Sequence, residues 1–96
     1  VSYIHSFNCQ YFIFSCSGIN LSGINEANFE QNIIKKTMMY NAKTKILLVD
    51  SSKFDKIFLS KTSGFEQIDY IITDKMPDKS YVDAFKEAHV NLIVTN

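Results

Sequence analysis

The sequence contains no arginine: its ten basic residues are all lysine, and ten acidic residues balance them. The planar guanidinium fork that holds a phosphate at two points is therefore missing, which leaves lysine ammonium groups and backbone N–H groups to meet an anion. A net charge of zero also provides no basic field of the kind that attracts nucleic acid or anionic lipid. We expect neither DNA nor a membrane to be a direct partner of these 96 residues.

Long apolar runs are also missing, and cysteine is scarce. The densest apolar stretch, Tyr11–Phe14, is strand-sized and far below the ~18 residues that span a bilayer. No signal peptide is recognisable, and the chain starts at Val1, so we expect a piece of a longer protein. Cys9 and Cys16 would lie about 20 Å apart in an extended segment, which is too far for a disulfide. Free thiols favour a cytoplasmic protein.

Four short segments rich in β-branched, aliphatic and aromatic residues are typical of strands. They span residues 11–14, 46–49, 68–73 and 91–95. The segment 46–49 is an unbroken aliphatic run, which predicts a strand covered on both faces. With 46% hydrophobic residues, the chain has enough apolar material for one packed domain.

Two segments have helical periodicity instead. The first is expected to have Asn28 as its N-cap and to end near Asn41. Its predicted buried face is formed by Phe29, Ile33, Ile34, Thr37 and Met38. The second begins within residues 77–80, and its predicted face contains Tyr81, Val82, Phe85 and Ala88. The predicted elements follow the order strand, helix, strand, strand, helix, strand. This order indicates an α/β protein with a parallel sheet.

Ligands of open parallel sheets bind beyond the carboxyl ends of the strands. The loops 15–28 and 50–54 follow predicted strand ends and begin with small residues. Ser51, Ser52 and Lys53 combine two hydroxyl groups with the one cation near the start of either loop, which suits a phosphate. The alternative is that the two serines cap a turn while the lysine points into water.

The sequence gives only weak signals for metal binding, thiol chemistry or acid–base catalysis. His5 and His89 are far apart in the sequence, and no cluster has metal-ligand spacing, so we expect no metal or other cofactor. Cys16 has no evident base and is expected to be a buried, inert thiol. Glu26 and Glu30 are the only carboxylates between the first strand and the helix, and neither has a neighbouring histidine. We therefore expect no catalytic residue.

Two motifs carry a family resemblance. Residues 46–54 read I-L-L-V-D-S-S-K-F, and residues 68–74 read I-D-Y-I-I-T-D. Gly-Ile-Asn at 23–25 stands where Gly-Leu-Thr is usual, and residues 30–39 resemble an E-x-x-x-V-K-x-x-M-I helix. Over roughly residues 9–96 the sequence resembles the carboxyl-terminal sensor domain of DeoR-type bacterial sugar-metabolism repressors, in the latter half of that domain.

The resemblance implies a three-layer α/β sandwich like those of ribose-5-phosphate isomerase, glucosamine-6-phosphate deaminase and CoA transferases. It implies that residues 1–96 are one domain, or the carboxyl-terminal part of one, that senses a phosphorylated sugar. DNA would be bound only by an amino-terminal helix-turn-helix that is absent from this chain. Lys53 would hold the phosphate beside Ser51 and Ser52. The residues that would line the opposite wall are Ser17, Gly18 and Asn25.

Two alternatives stay open beside the sensor of a regulator: an oligomerisation module without a ligand, and a sugar-phosphate isomerase or deaminase. The chain departs from the family pattern at Asn25, where threonine is usual, and at Asp55, where glycine usually follows D-S-S-K-F. If the opening strands of the sensor are missing, an apolar sheet face should be exposed or covered by self-association. We therefore expect a homo-oligomer.

Overall fold

The structure is a computed structural model that describes residues 9–95, apart from the side chain of Cys9. Val1 and His5, discussed above, lie outside the described residues. The helices are α1 (Phe29–Asn41) and α2 (Lys79–Glu87), with single 3-10 turns at Ser51–Lys53 and Phe65–Gln67. The strands are β1 (Cys9–Phe14), β2 (Gly18–Asn20), β3 (Gly23–Glu26), β4 (Ala42–Leu48), β5 (Ser60–Ser63), β6 (Tyr70–Thr73) and β7 (Asn91–Val94).

Four parallel strands form the main sheet, in the order β1-β4-β6-β7. The register aligns Phe14, Leu47, Ile71 and Leu92 in one row across the sheet. Each connection moves one strand further in the same direction, so right-handed crossovers place both helices on the same face. Met39 of α1 and Phe85 of α2 accordingly pack into the same buried cluster as this row. The predicted α/β fold with a parallel sheet is confirmed.

A second, antiparallel sheet has the order β2-β3-β5. The sequence predicted a loop for most of its residues, because its strands are only three or four residues long. It inserts Ile19 and Ile24 into the core, both completely buried. Gly23 is required in the hairpin because its φ is +141° and a Cβ there would lie 2.1 Å from the carbonyl oxygen of Ser63.

Helix α1 starts and ends where the sequence predicts. The side chain of Asn28 accepts a hydrogen bond from the backbone N–H of Gln31 at 2.9 Å, which confirms the N-cap, and the helix ends at Asn41. Helix α2 buries Tyr81 and Phe85, the two large members of its predicted face. Within residues 9–95, no helix is both long and apolar enough to cross a membrane.

The predicted buried face of α1 is wrong. Phe29, Ile33 and Ile34 are 68%, 43% and 45% exposed. The buried residues of the helix are Asn32, Thr37 and Met39. The helix packs on the antiparallel sheet through a polar contact. The spacing of apolar residues in the sequence does not predict a contact of this kind. There the side chain of Asn32 accepts from the Thr62 hydroxyl at 2.6 Å and donates to the Lys61 carbonyl at 3.1 Å.

The second face of the parallel sheet is uncovered among the described residues. Leu48, Ile72 and Ile93 are aligned in one row of this face. Its largest exposed fractions are Tyr11 67%, Ile13 59%, Leu48 44%, Ile93 42% and Tyr70 37%. The expected exposure of an apolar sheet face is therefore confirmed. The expectation that 46–49 is covered on both faces is wrong, because successive side chains point to opposite faces and this fold covers one of them.

Neighbouring leucines of β4 give a direct test of the uncovered face. Leu47→Ala should lower the free energy of unfolding by about 2–5 kcal/mol, since it leaves a cavity in the core. Leu48→Ala should cost less than about 1 kcal/mol, because much of its side chain is already in water. Urea denaturation at low protein concentration measures both. Equal losses would show that the second face is covered in solution.

Candidate functional site

Two carboxylates organise the turn that follows β4. Asp50 accepts hydrogen bonds from the backbone N–H of Ser52, at 2.9 Å, and from the Ser52 hydroxyl. These bonds hold the pKa of the Asp50 carboxyl below its usual value. Asp74, at the end of β6, accepts from the backbone N–H of Ser51 at 2.7 Å. The turn is therefore capped by the Asp50 side chain, and the Ser52 hydroxyl donates to that carboxylate instead of capping the turn itself.

Lys53 is the cation of this turn. Its Nζ lies 3.9 Å from Oδ2 of Asp50, and its side chain is 35% exposed. An ion pair at such exposure contributes about 0–1 kcal/mol. The ammonium group is therefore available to a stronger anionic partner.

A buried ion pair lies at the carboxyl end of β1. Lys35 of α1 donates to the carboxylate of Glu26 and to the carbonyl oxygen of Ser15. The Ser17 hydroxyl donates to Oε1 of Glu26 at 2.9 Å and accepts from the backbone N–H of Ala27 at 3.2 Å. The Glu26 and Lys35 side chains are only 7% and 15% exposed. This network fixes the position of Ser17 from three sides.

Cys16 lies beside this network and is free and buried. Burial raises the pKa of its thiol to about 12, while the nearby charge of Lys35 acts to lower it. The thiol is therefore protonated at neutral pH, as the sequence analysis expected of an inert cysteine. The positive charge of Lys53 also acts to lower the pKa of this thiol.

Gly18 and Asn25 hold a loop of the protein itself. The Asn25 amide donates to the Lys56 carbonyl at 3.2 Å, and its oxygen accepts from the Phe58 N–H at 3.0 Å. A Cβ on Gly18 would lie 2.3 Å from the same Lys56 carbonyl. Both residues are buried, so they brace the wall that was predicted to contact a ligand.

The bridge between Ile19 and Phe54, and the hydrogen bond from the Asp55 N–H to the Ile19 carbonyl at 2.8 Å, join the segment that contains Ser17 and Gly18 to the end of the turn at 51–53. Lys35 of α1 was not predicted as a site residue from the sequence. The only local signal for it is the helix motif that resembles the family's. Lys75, which follows directly on the Thr73-Asp74 strand end, was not predicted either. A cavity of about 240 Å³ lies between the turn and this segment. Its lining includes Ser51, Phe54, Asp55, Lys75, Asp78 and Tyr81.

A larger cleft of about 600 Å³ lies elsewhere, between α1, β4 and β5. Its lining includes Lys36, Tyr40, Lys45, Thr62 and Gln67. None of the candidate residues from the sequence lies in it, and it is remote from the carboxyl ends of the parallel strands. We therefore place the candidate site at the smaller cavity and the adjoining turn, where the fold gathers its strand ends. Among residues 9–95, no His, Cys, Asp and Glu side chains group to hold a metal ion.

Comparison with known proteins identifies the class. Residues 1–75 match the family described as the DeoR C terminal sensor domain, and the chain belongs to that family. The resemblance found in the sequence is confirmed.

Individual relatives are bacterial regulators. The chain is 29% identical over 92 residues to the HTH-type transcriptional repressor GlcR of Bacillus subtilis, covering 96% of this chain and 36% of the relative. It is 38% identical over 71 residues to the L-fucose operon activator of Haemophilus influenzae, covering 72% and 28%. It is 25% identical over 93 residues to the glycerol-3-phosphate regulon repressor of Escherichia coli, covering 96% and 37%. The chain spans about a third of the length of these curated relatives.

The bracing role of Asn25 can be measured. Asn25→Ala should lower the free energy of unfolding by about 1–3 kcal/mol, because it leaves the Lys56 carbonyl and Phe58 N–H without partners. Asn20→Ala is the matched control, since Asn20 bonds only within an exposed turn, to Ser22. Chemical denaturation of both variants makes the comparison. A loss at Asn25 no larger than that at Asn20 would contradict the assignment.

Proposed function

We propose that this chain is the effector-binding part of a DeoR-type transcriptional regulator that senses a phosphorylated sugar and controls genes of sugar metabolism. The observation that carries the proposal is Lys53, a half-exposed ammonium group on a serine-rich turn at the carboxyl end of the sheet. Family membership and relatives named for a fucose operon and a glycerol-3-phosphate regulon support it. Contact with DNA belongs to another part of such a regulator, because this chain has no net charge.

In this proposal the phosphate is met by one strong charge and several weaker donors. Lys53 supplies a charge-assisted hydrogen bond, and Ser51 and Ser52 supply hydroxyl groups beside it. Ser17 lines the opposite wall. Gly18 and Asn25 act through the loop that they brace.

The carboxylates decide between sensing and isomerisation. A base that removes a proton from a sugar carbon needs an unengaged carboxylate or a histidine within reach of it. Glu26 bonds Ser17 through one oxygen and Lys35 through the other. Glu26 is therefore engaged and unsuited to act as that base.

The three-layer sandwich and the cytoplasmic location are also part of the proposal. The described residues supply a parallel sheet and one helical layer, while the other face has the apolar composition of a covered layer. Parallel sheets in proteins are covered on both faces, which supports the sandwich. A protein with a buried, free Cys16 suits a reducing compartment.

A homo-oligomer completes the proposal, with a second copy of the chain on the outer side of α1. Phe29, Ile33 and Tyr40 share that side of the helix and are exposed. A two-fold symmetric pair of α1 helices would bury this stripe on both copies. Light scattering should show a dimer that Ile33→Glu dissociates, while Gln31→Glu on the same helix leaves it intact. A wild-type monomer at high concentration would overturn this part.

The test of the effector site is Lys53→Ala. Loss of a charge-assisted hydrogen bond of about 1.5–3 kcal/mol should weaken binding of the sugar phosphate roughly tenfold to a hundredfold. Stability should change by less than about 0.5 kcal/mol, because the side chain lies at a loop. Isothermal titration with a panel of hexose and triose phosphates, followed by chemical denaturation, measures both quantities.

Lys56→Ala is the matched control, since Lys56 is an exposed lysine three positions further along the same loop. It should bind the sugar phosphate within about twofold of wild type. Equal affinities of wild type and Lys53→Ala would remove Lys53 from the site and leave the sensor assignment on family membership alone.

A further inference from the structure

The backbone turns sharply two residues after Lys53. Asp55 has a φ of +65°, in the left-handed region that residues other than glycine rarely adopt. Aspartate tolerates this conformation better than most residues, yet it persists only where surrounding contacts hold it. The left-handed backbone conformation of Asp55 therefore indicates that a neighbouring contact holds this residue in place.

Tyr81 of α2 is that contact. Its hydroxyl lies 2.7 Å from Oδ1 of Asp55 and 3.3 Å from the carbonyl oxygen of Ile19. A phenol has one hydrogen to donate, and the shorter contact to the charged carboxylate takes it. The Asp55 N–H donates to the Ile19 carbonyl at 2.8 Å and lies 3.2 Å from the same Tyr81 oxygen.

The contact is partly shielded, since Tyr81 is buried and Asp55 is exposed. Tyr81 is 3% exposed, and its ring meets the edge of Phe54 at 4.9 Å between centroids. Burial and the Asp55 carboxylate raise the pKa of the Tyr81 hydroxyl to about 12, so the phenol keeps its donor hydrogen at neutral pH. The hydroxyl, Asp55 and Ile19 together form a latch between α2, β2 and the segment after Lys53.

Lys53 depends on such an anchor because its own side chain is held by little else. Its ammonium group has a weak contact with Asp50 at 3.9 Å. The 3-10 turn that carries it is fixed at its start by the bond from Ser51 to Asp74. At its end the latch fixes the chain at Asp55. The direction of the Lys53 side chain is thus set by backbone held at both ends.

We propose that Tyr81 is a positioning residue for the Lys53 anion site: its hydroxyl, through Asp55, holds the turn in the geometry that binds a phosphorylated effector. This inference rests on the proposed function. It also goes beyond the family match, which ends at residue 75, before Tyr81. Helix α2 is thereby tied to the effector loop, and Tyr81 also lines the adjoining cavity.

Tyr81→Phe removes the hydroxyl and keeps the ring. It should weaken binding of hexose and triose phosphates, and of inorganic phosphate, roughly threefold to tenfold in isothermal titration. Tyr11→Phe is the matched control, because Tyr11 lies in β1 and is 67% exposed. Asp55→Asn keeps an oxygen that accepts from Tyr81 and should retain most of the affinity, whereas Asp55→Ala should lose as much as Tyr81→Phe.

The decisive comparison adds Tyr81→Phe to Lys53→Ala. If Tyr81 acts through Lys53, the double variant binds no more weakly than Lys53→Ala alone. A full additional loss would show that Tyr81 acts by another route and would overturn the proposal. Wild-type affinity in Tyr81→Phe, together with weak binding in Lys53→Ala, would overturn the latch and leave the proposed function standing.

Hydrogen exchange tests the latch without any ligand. The amide of Asp55 should exchange at least severalfold faster in Tyr81→Phe than in Tyr11→Phe, because the turn opens more often. Unchanged exchange would overturn the latch whatever the titrations give. Failure of wild type to bind any of the phosphates would overturn the proposed function and the positioning role with it, whereas equal binding by wild type and Lys53→Ala would overturn the positioning role and leave the sensor assignment on family membership alone.

Discussion

The rest of this structure depends on one constraint: four parallel strands are joined by crossovers that all step in the same direction. Because such crossovers are right-handed, both helices cover one face of the sheet, and the strand carboxyl ends gather at one edge. The turn at 51–53 and the segment after β6 therefore meet at this edge. The same constraint leaves Leu48 and its row of apolar neighbours uncovered among the described residues.

Most polar side chains at this edge bind the protein itself. Asn25 braces the loop after the turn, Asp74 anchors the start of the turn, and Glu26 pairs with Lys35. Lys53 is the exception, since its contact with Asp50 is weak. A charge-assisted bond of about 1.5–3 kcal/mol exceeds a surface pair of about 0–1 kcal/mol, so in the proposed function the effector phosphate would displace Asp50 as the partner of Lys53.

The buried ion pair of Glu26 and Lys35 contributes to the structure in a different way from the exposed contact of Lys53 with Asp50. Burying two charges costs desolvation energy that their attraction only partly offsets, so such a pair contributes more to specific geometry than to stability. Here it positions Ser17 and closes the wall beside Cys16.

The sequence by itself determined the local features. The four parallel strands, the Asn28 cap and the serine-lysine turn follow from short-range patterns, because each depends on neighbouring residues. Tertiary structure decided the rest. The antiparallel sheet joins the β2–β3 hairpin to β5, whose partners in β3 lie more than 30 residues away, as between Asn25 and Lys61, and its strands are too short to show a pattern. The inward face of α1 and the contact of Tyr81 with Asp55 exist only because folding brings distant polar groups together, where burial makes their hydrogen bonds obligatory.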